Sequence, residues 1–338
     1  MPEQLGFFTR VLDDAPPAER YRLALEQIRH AEALGYDSAW VAQHHFDGDE
    51  GGLPSPLVFL ARAAARTERI RLGTGVVTLP LEDPIRVAED ASVLDLLSEG
   101  RLEVGIGSGG TPSTFPSFGV EFTERREVFA RKREALLAAL AGEAFDGTSN
   151  RLHPARPELL ERLWFATFSS PLAVTAAERG DGLMLSRTQP RPAEAPETTL
   201  WDIQNPIIDA YLDHLAPGAA PRISVARTLF VADDRQEALR LAEHGYRNTR
   251  FARSTLGDEV DRLPVEELLA RLDAHVGTPE DVLESLSRDT ALRRATHLSF
   301  QVHSVDPPHE YVLRSMELIA TRVAPELGWT RNDIDLGA

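Results

Sequence analysis

The chain contains no cysteine. That excludes a disulfide framework, a thiolate metal site and a cysteine nucleophile. No uninterrupted apolar run approaches the ~20 residues that cross a membrane as a helix. The opening Met1-Pro2-Glu3-Gln4 lacks the charged segment and apolar run of a secretory leader, so a cytoplasmic protein is expected. Positive charge is in deficit: 36 Lys and Arg stand against 53 Asp and Glu, a formal net charge of −17. Such a balance disfavours nucleic acid and anionic membranes as partners. It leaves room for a local basic pocket that takes one phosphate. No tandem repeat of fixed period and no low-complexity tract is present. No Gly-x-Gly-x-x-Gly turn follows the first apolar run, which weakens an open doubly wound sheet. No His-x-His follows it either, which disfavours a metal-dependent barrel hydrolase, and no bound metal is expected.

What is present is alternation. Apolar strand-forming runs lie at Leu5 to Thr9, Tyr36 to Ala42, Ile70 to Thr78 and Leu102 to Ile106. Four more lie at Leu163 to Ala166, Gly182 to Ser186, Ile223 to Val231 and Leu298 to Val302. Each is followed by a stretch with helical spacing, such as Ala18 to Leu34, Leu57 to Arg66, Ile85 to Leu97 and Glu121 to Leu140. Proline at the entrances and glycine at the exits support these helices. Eight strand–helix units in 338 residues predict a (β/α)8 TIM barrel whose working face is at the strand carboxyl ends. The whole of 1–338 reads as one domain, with loop insertions near 187–200 and 251–277 at that face. Both exceed common connections, as substrate lids do.

Four junctions carry unusual residues. The pair His44-His45 stands where the second strand ends, after Trp40 and Gln43 and before Asp47-Gly48-Asp49-Glu50-Gly51-Gly52. A lone histidine in such a corner is usually structural; a histidine pair at a barrel mouth is as often functional. Gly73-Thr74-Gly75-Val76 places glycine inside a strand, a sign of close backbone approach. Gly105-Ile106-Gly107-Ser108-Gly109-Gly110 offers bare backbone to a flat ring or an anion, although glycine-rich loops are common. Phe168-Ser169-Ser170-Pro171 opens a helix with two hydroxyls and free N–H groups. That is either an ordinary cap or an anion site.

Taken in order, these junctions resemble the bacterial luciferase family of flavin-dependent monooxygenases. The blocks that carry the resemblance are Gly73-Thr74-Gly75-Val76-Val77-Thr78-Leu79-Pro80, Asp83 to Asp90, Leu94-Asp95, Gly100-Arg101-Leu102 and Gly105-Ile106-Gly107, with the histidine pair and the Ser169 to Gly180 segment. The resemblance implies a barrel that binds reduced FMN, supplied by a separate reductase. It also implies molecular oxygen as co-substrate and a small organic substrate oxidised through a flavin hydroperoxide. It carries His44 over as the active-site histidine, a proton donor or hydrogen-bond partner with a pKa near working pH. It places Gly75 and Val76 against the flavin ring, often through a non-prolyl cis peptide. It places Gly107 and Ser108 near the cofactor, Ser169 with Ser170 at the phosphate, and Ser186 with Arg187 at the strand end beside the ring. Family members commonly dimerise through the helices after strands two and three, so a homodimer is expected. The surplus of apolar residues in Leu57 to Arg66 agrees with this, and the next helix offers Ala88, Ala91 and Val93.

The sequence departs from the family pattern in places. Gln43 replaces the usual glutamate, which leaves the charge balance around His44 open. Ser108 replaces an arginine, so the phosphate must find its counter-charge elsewhere, with Arg187 the first candidate. A reactive cysteine becomes Gly107, so light emission is not implied. Two other readings remain on the same barrel: a deazaflavin-dependent hydride-transfer enzyme, and a flavin-binding protein without turnover. Outside the site, Arg227 is expected to be buried against an acid such as Glu103. His303 and Trp40 are expected to be structural.

Overall fold

A computed structural model describes residues 3–145 and 147–330. Met1 and Pro2 of the expected leaderless start lie outside these. Ten strands form one all-parallel sheet: β1 (Gln4–Thr9), β2 (Ser38–Val41), β3 (Arg71–Thr74), β4 (Val77–Thr78), β5 (Leu102–Gly107), β6 (Leu163–Ala166), β7 (Gly182–Leu185), β8 (Ile223–Val231), β9 (Ala274–Gly277) and β10 (His297–Gln301). β10 pairs with both β1 and β8, which closes the sheet into an eight-stranded barrel. The barrel is therefore of the predicted (β/α)8 kind.

Two strands depart from the expected pattern. Ile70 to Thr78 is not one strand: a cis peptide between Gly75 and Val76 divides it into β3 and β4, which both pair with β5. β9 lies inside the stretch read as a helical insertion. It pairs with Thr228–Val231 of β8, of which β10 pairs only with Thr228. Four residues, Ala-His-Val-Gly, carry too little pattern to be read as a strand.

The barrel helices are α1 (Pro17–Leu34), α2 (Pro56–Ala64), α3 (Pro84–Leu97), α4 (Arg125–Leu140), α5 (Ser170–Arg179), α6 (Leu200–Asp213), α7 (Arg235–Asn248), α10 (Pro279–Leu286) and α11 (His309–Leu318), with α8 (Arg250–Leu256) and α9 (Val265–Arg271) in the second insertion. Helix starts follow local chemistry. Asp83 accepts from the backbone N–H of Ile85 and Arg86, and Thr278 and Asp281 close a capping box on α10. No helix among the described residues is long and apolar enough to cross a membrane.

Alternation along the strands sorts the residues. Outward side chains join the large apolar core beneath the helices. Inward, Trp40, Trp164 and Met184 form a separate cluster that plugs the barrel, with Phe8, Val76 and Ala166 packed above it. The indoles need the inward glycines. A Cβ on Gly73 would lie 2.1 Å from Trp40 and one on Gly182 2.3 Å from Trp164. Gly73 thus makes room for Trp40, not for a ligand, and Trp40 is core as expected.

Alternation also corrects the Arg227 expectation. Glu103 points inward to Arg71 and to the Trp164 indole, which donates at 2.7 Å. Arg227 points outward and pairs with Asp289, while its Nη2 donates to Gln204 Oε1 at 2.9 Å. The two side chains lie on opposite faces of the sheet, so they cannot meet.

Candidate active site at the barrel mouth

The mouth is built where the inward rows of the strands run out. One side is apolar and low. A Cβ on Gly107 would sit 2.9 Å from Val76 Cγ2 and 3.6 Å from Ala166 Cβ, so these three residues form one face. Gly75 lies behind it, against the Phe8 ring. The non-prolyl cis peptide sits at the Gly75–Val76 position that the resemblance implied. Ser108 follows Gly107 in the chain, and α5 opens just past Ala166, half-buried at Ser169 and Ser170. Neither the Ser169 nor the Ser170 hydroxyl caps α5. Ser169 Oγ lies 3.4 Å from Thr167 Oγ1, and Thr167 also accepts from the Ser169 N–H at 2.9 Å. The hydroxyls and the first-turn N–H groups of this ten-residue helix are thus not spent on each other.

The other side is polar. Arg10, the first residue past β1, donates through Nη2 to His44 Nε2 at 3.1 Å, and its backbone N–H donates to His303 Nε2 at 3.1 Å. His303 Nδ1 is bonded to Asp306. The proton of His44 therefore sits on Nδ1, which is buried without a partner. The glycine loop folds over it: a Cβ on Gly51 would lie 2.4 Å from that nitrogen.

This geometry bears on the charge of His44. Burial first, and then the Arg10 charge, push its pKa down to about 3, far from working pH. His44 is thus a neutral hydrogen-bond partner of Arg10. The doubt over Gln43 also resolves. Its side chain turns away from His44, donates to Glu82 Oε1 at 2.6 Å and Pro54 O at 3.1 Å, and accepts from Thr78 N–H at 2.7 Å. Two acceptors and one donor require an amide here; a glutamate would face Glu82 with like charge.

Arg187 does not join Ser169. Its guanidinium lies 4.9 Å from the Phe251 ring centroid and donates to Ser304 Oγ at 3.4 Å. Among the described residues it makes no hydrogen bond to Ser108, Ser169 or Ser170. Ser186 closes a turn with Thr188 and is held by Gln204, which donates to its carbonyl at 3.0 Å. The structure thus brings Gly75, Val76, Gly107, Ser108, Ser169 and Ser170 to one side, and His44 and Arg187 to the other. Sequence reading missed Arg10, although its position just past a barrel strand was the available signal. His303, expected to be structural, does anchor the Arg10 backbone.

The insertions stand over the polar side. Arg191 pairs with Asp273 at 2.6 Å and Arg271 with Glu197 at 2.8 Å, tying one to the other. Arg250 reaches Asp47 at 2.7 Å and Glu50 at 3.4 Å in the loop after β2.

Buried neutral histidines make the fold acid-sensitive. Burial lowers His275 and His297 to about 4, as it lowers His44 to about 3. In the unfolded chain these imidazoles take protons below about pH 6.5, whereas the folded chain refuses them. Stability is therefore complete above pH 6.5 and is lost as pH falls toward the folded values. Thermal melts should give a flat Tm from pH 8 to 7 and a fall by pH 5, about 1–2 kcal/mol per histidine. An unchanged Tm at pH 5 would contradict the assignment of all three as neutral.

A closed parallel barrel with helices outside it and glycine-rich strand ends at its mouth defines a (β/α)8 barrel. The family follows. A model of the luciferase-like monooxygenases matches residues 5–294, and the chain belongs to that family. It is 32% identical over 324 residues to 4-hydroxyprotoasukamycin monooxygenase of Streptomyces nodosus subsp. asukaensis, spanning 89% of this chain and 85% of that one. The structure of the monooxygenase RslO1 from Streptomyces bottropensis matches with a TM-score of 0.76 at 28% identity, covering 96% of this chain and 99% of that one. An F420-dependent glucose-6-phosphate dehydrogenase of Kineococcus radiotolerans is 38% identical over 167 residues, 45% of this chain and 48% of that one. The chain is an oxidoreductase.

Proposed function

We propose that this chain is the oxygenating component of a two-component, FMN-dependent monooxygenase. It takes reduced FMN from a separate reductase and uses O2 to oxidise a small organic substrate, all within a single 1–338 domain. The observation that carries the reading is the apolar face of Val76, Gly107 and Ala166, with the α5 N-terminus opening at Ser169, just past Ala166. A planar ring needs such a face, and a phosphate dianion is favoured at such a terminus. The flavin, when bound, supplies the oxygen chemistry. The chain's own residues bind and orient it: Gly75, Val76 and Gly107 at the ring, Ser108, Ser169 and Ser170 at the phosphate, Ser186 at the ring edge. The insertions exclude water, and His44 holds Arg10 at the mouth. The monooxygenase relative matches nearly the whole chain, whereas the F420-dependent dehydrogenase relative matches about half, which favours a monooxygenase over a deazaflavin-dependent dehydrogenase.

The test is Ser169→Asp. A carboxylate at the phosphate site should weaken FMN binding at least about tenfold in a fluorescence titration, with the melt unchanged. Wild-type affinity in that variant would remove the phosphate from α5.

The same reading includes a homodimer through α2 and α3. Ala88 and Ala91 are buried within their own chain, so they are not the contact. Val58 on α2 and Val93, Leu96 and Leu97 on α3 are 73%, 45%, 48% and 63% exposed. Residues 93, 96 and 97 share one helix face, and Arg86, Glu89 and Asp90 form ion pairs on the same helix. Sedimentation at micromolar concentration should show a dimer that Leu97→Glu converts to monomer. A monomeric wild type would contradict it.

A further inference from the structure

Arg10 and Arg187 remain after the proposed cofactor contacts have been assigned. Neither has a carboxylate within ion-pair distance among the described residues. Arg187 is 6% exposed. Its Nε is buried without a partner, and so is the Nε of Arg10. Asp306, which acts on both arginines from a distance, is bonded to His303, and Glu50, which acts on Arg10, is paired with Arg250. The Arg10 guanidinium spends one nitrogen on a neutral histidine, and Arg187 has only a long bond to Ser304. Two like charges thus share one water-poor side of the mouth. Burial, with Arg187 adding its repulsion, lowers Arg10 to about 10. Burying cations without a direct ion pair is costly, and such a site is suited to a partner that brings the charge.

The surroundings narrow that partner. Phe251 covers the Arg187 guanidinium, and Tyr246 is buried within its electrostatic reach. α7 closes on this corner with no gap: a Cβ on Gly245 would lie 2.1 Å from Val305 O. Arg10 is only half-buried, so the open approach is from the mouth. On the far side of the mouth lies the apolar face assigned to the ring.

Resting on the monooxygenase reading, we propose that the organic substrate carries an anionic oxygen group, a carboxylate or an ionised phenol, which binds between Arg10 and Arg187 with its apolar part turned toward the flavin face. Guanidinium forks match a planar oxyanion in shape as well as charge. The position gives the enzyme its substrate class: a neutral isostere leaves both cations unpaired and is rejected.

The experiment uses the purified full chain with benzoate and its neutral isostere benzamide as probes, by calorimetry without flavin, and a separate FMN titration. Wild type should bind benzoate about 10- to 100-fold more tightly than benzamide. Arg187→Met should erase that preference and leave FMN affinity unchanged, while Arg187→Lys should keep part of it. Equal binding of the two probes, or binding of neither, overturns the proposal. A loss of FMN affinity in Arg187→Met, in step with the loss of benzoate, also overturns it by giving the arginine to the cofactor. Failure of wild type to bind FMN sinks the monooxygenase reading instead, and the probe preference is read independently of it. Should Arg187→Met not fold, Arg10→Gln repeats the test from the other cation.

Discussion

On the proposed placement of the ring, Gly107→Leu should weaken flavin binding severely while the barrel stays folded. Gly107 lies at the end of β5 with its missing side chain aimed over Val76 and Ala166. A leucine there occupies the volume that a ring must take to lie on this face. Val76 is half-buried, so its side chain has room to shift away from the new Cβ, which would otherwise lie 2.9 Å from it. The extra carbons then grow into the mouth and spare the core beneath. The FMN dissociation constant should rise about 100-fold, with Gly107→Ala in between, and Tm should move little. Wild-type affinity in the leucine variant would put the ring on another face.

The largest loss of stability should come from a pair far from this site. Asp289 and Arg227 are both fully buried between β8 and the helices outside it. Asp289 also accepts from the Leu292 N–H at 3.0 Å, and Arg227 is held by Gln204 and the Ala226 carbonyl. Asp289→Ala strands a guanidinium in a dry core. The expected cost is about 3–5 kcal/mol, or about 4–7 °C in Tm for a chain of this length. Replacing both partners by leucine and methionine should cost less than the single change, because no charge is left behind. If the single variant melts within a degree of wild type, Arg227 has another partner.

The barrel was legible because its strands repeat eight times with long apolar helices between them, and one missed strand does not alter that count. β9 escaped because four residues carry no period. Motif residues split in a way that sequence alone does not reveal. Asp95 holds Arg156 at 2.9 Å and Arg162 at 2.6 Å, and Arg101 binds Thr67 and the Ala64 and Ile70 carbonyls. These are fold staples, although they sit in the same blocks as Gly75 and Gly107. The charge state of His44 was illegible for another reason: it depends on burial first and then on Arg10, which is close in space and 34 residues away in the chain. The outward turn of Gln43 was hidden in the same way, since Glu82 and Thr78 meet it only once β4 is paired.

The central claim is that this mouth holds reduced FMN and turns oxygen on a substrate. The most direct measurement mixes the anaerobic protein with reduced FMN or a reduced deazaflavin, determines both affinities, then admits oxygen and follows flavin reoxidation. The account predicts tighter binding of reduced FMN and a reoxidation course altered by the protein, with peroxide released when substrate is absent. Preferential binding of the reduced deazaflavin, with FMN reoxidising as it does free in solution, would contradict it.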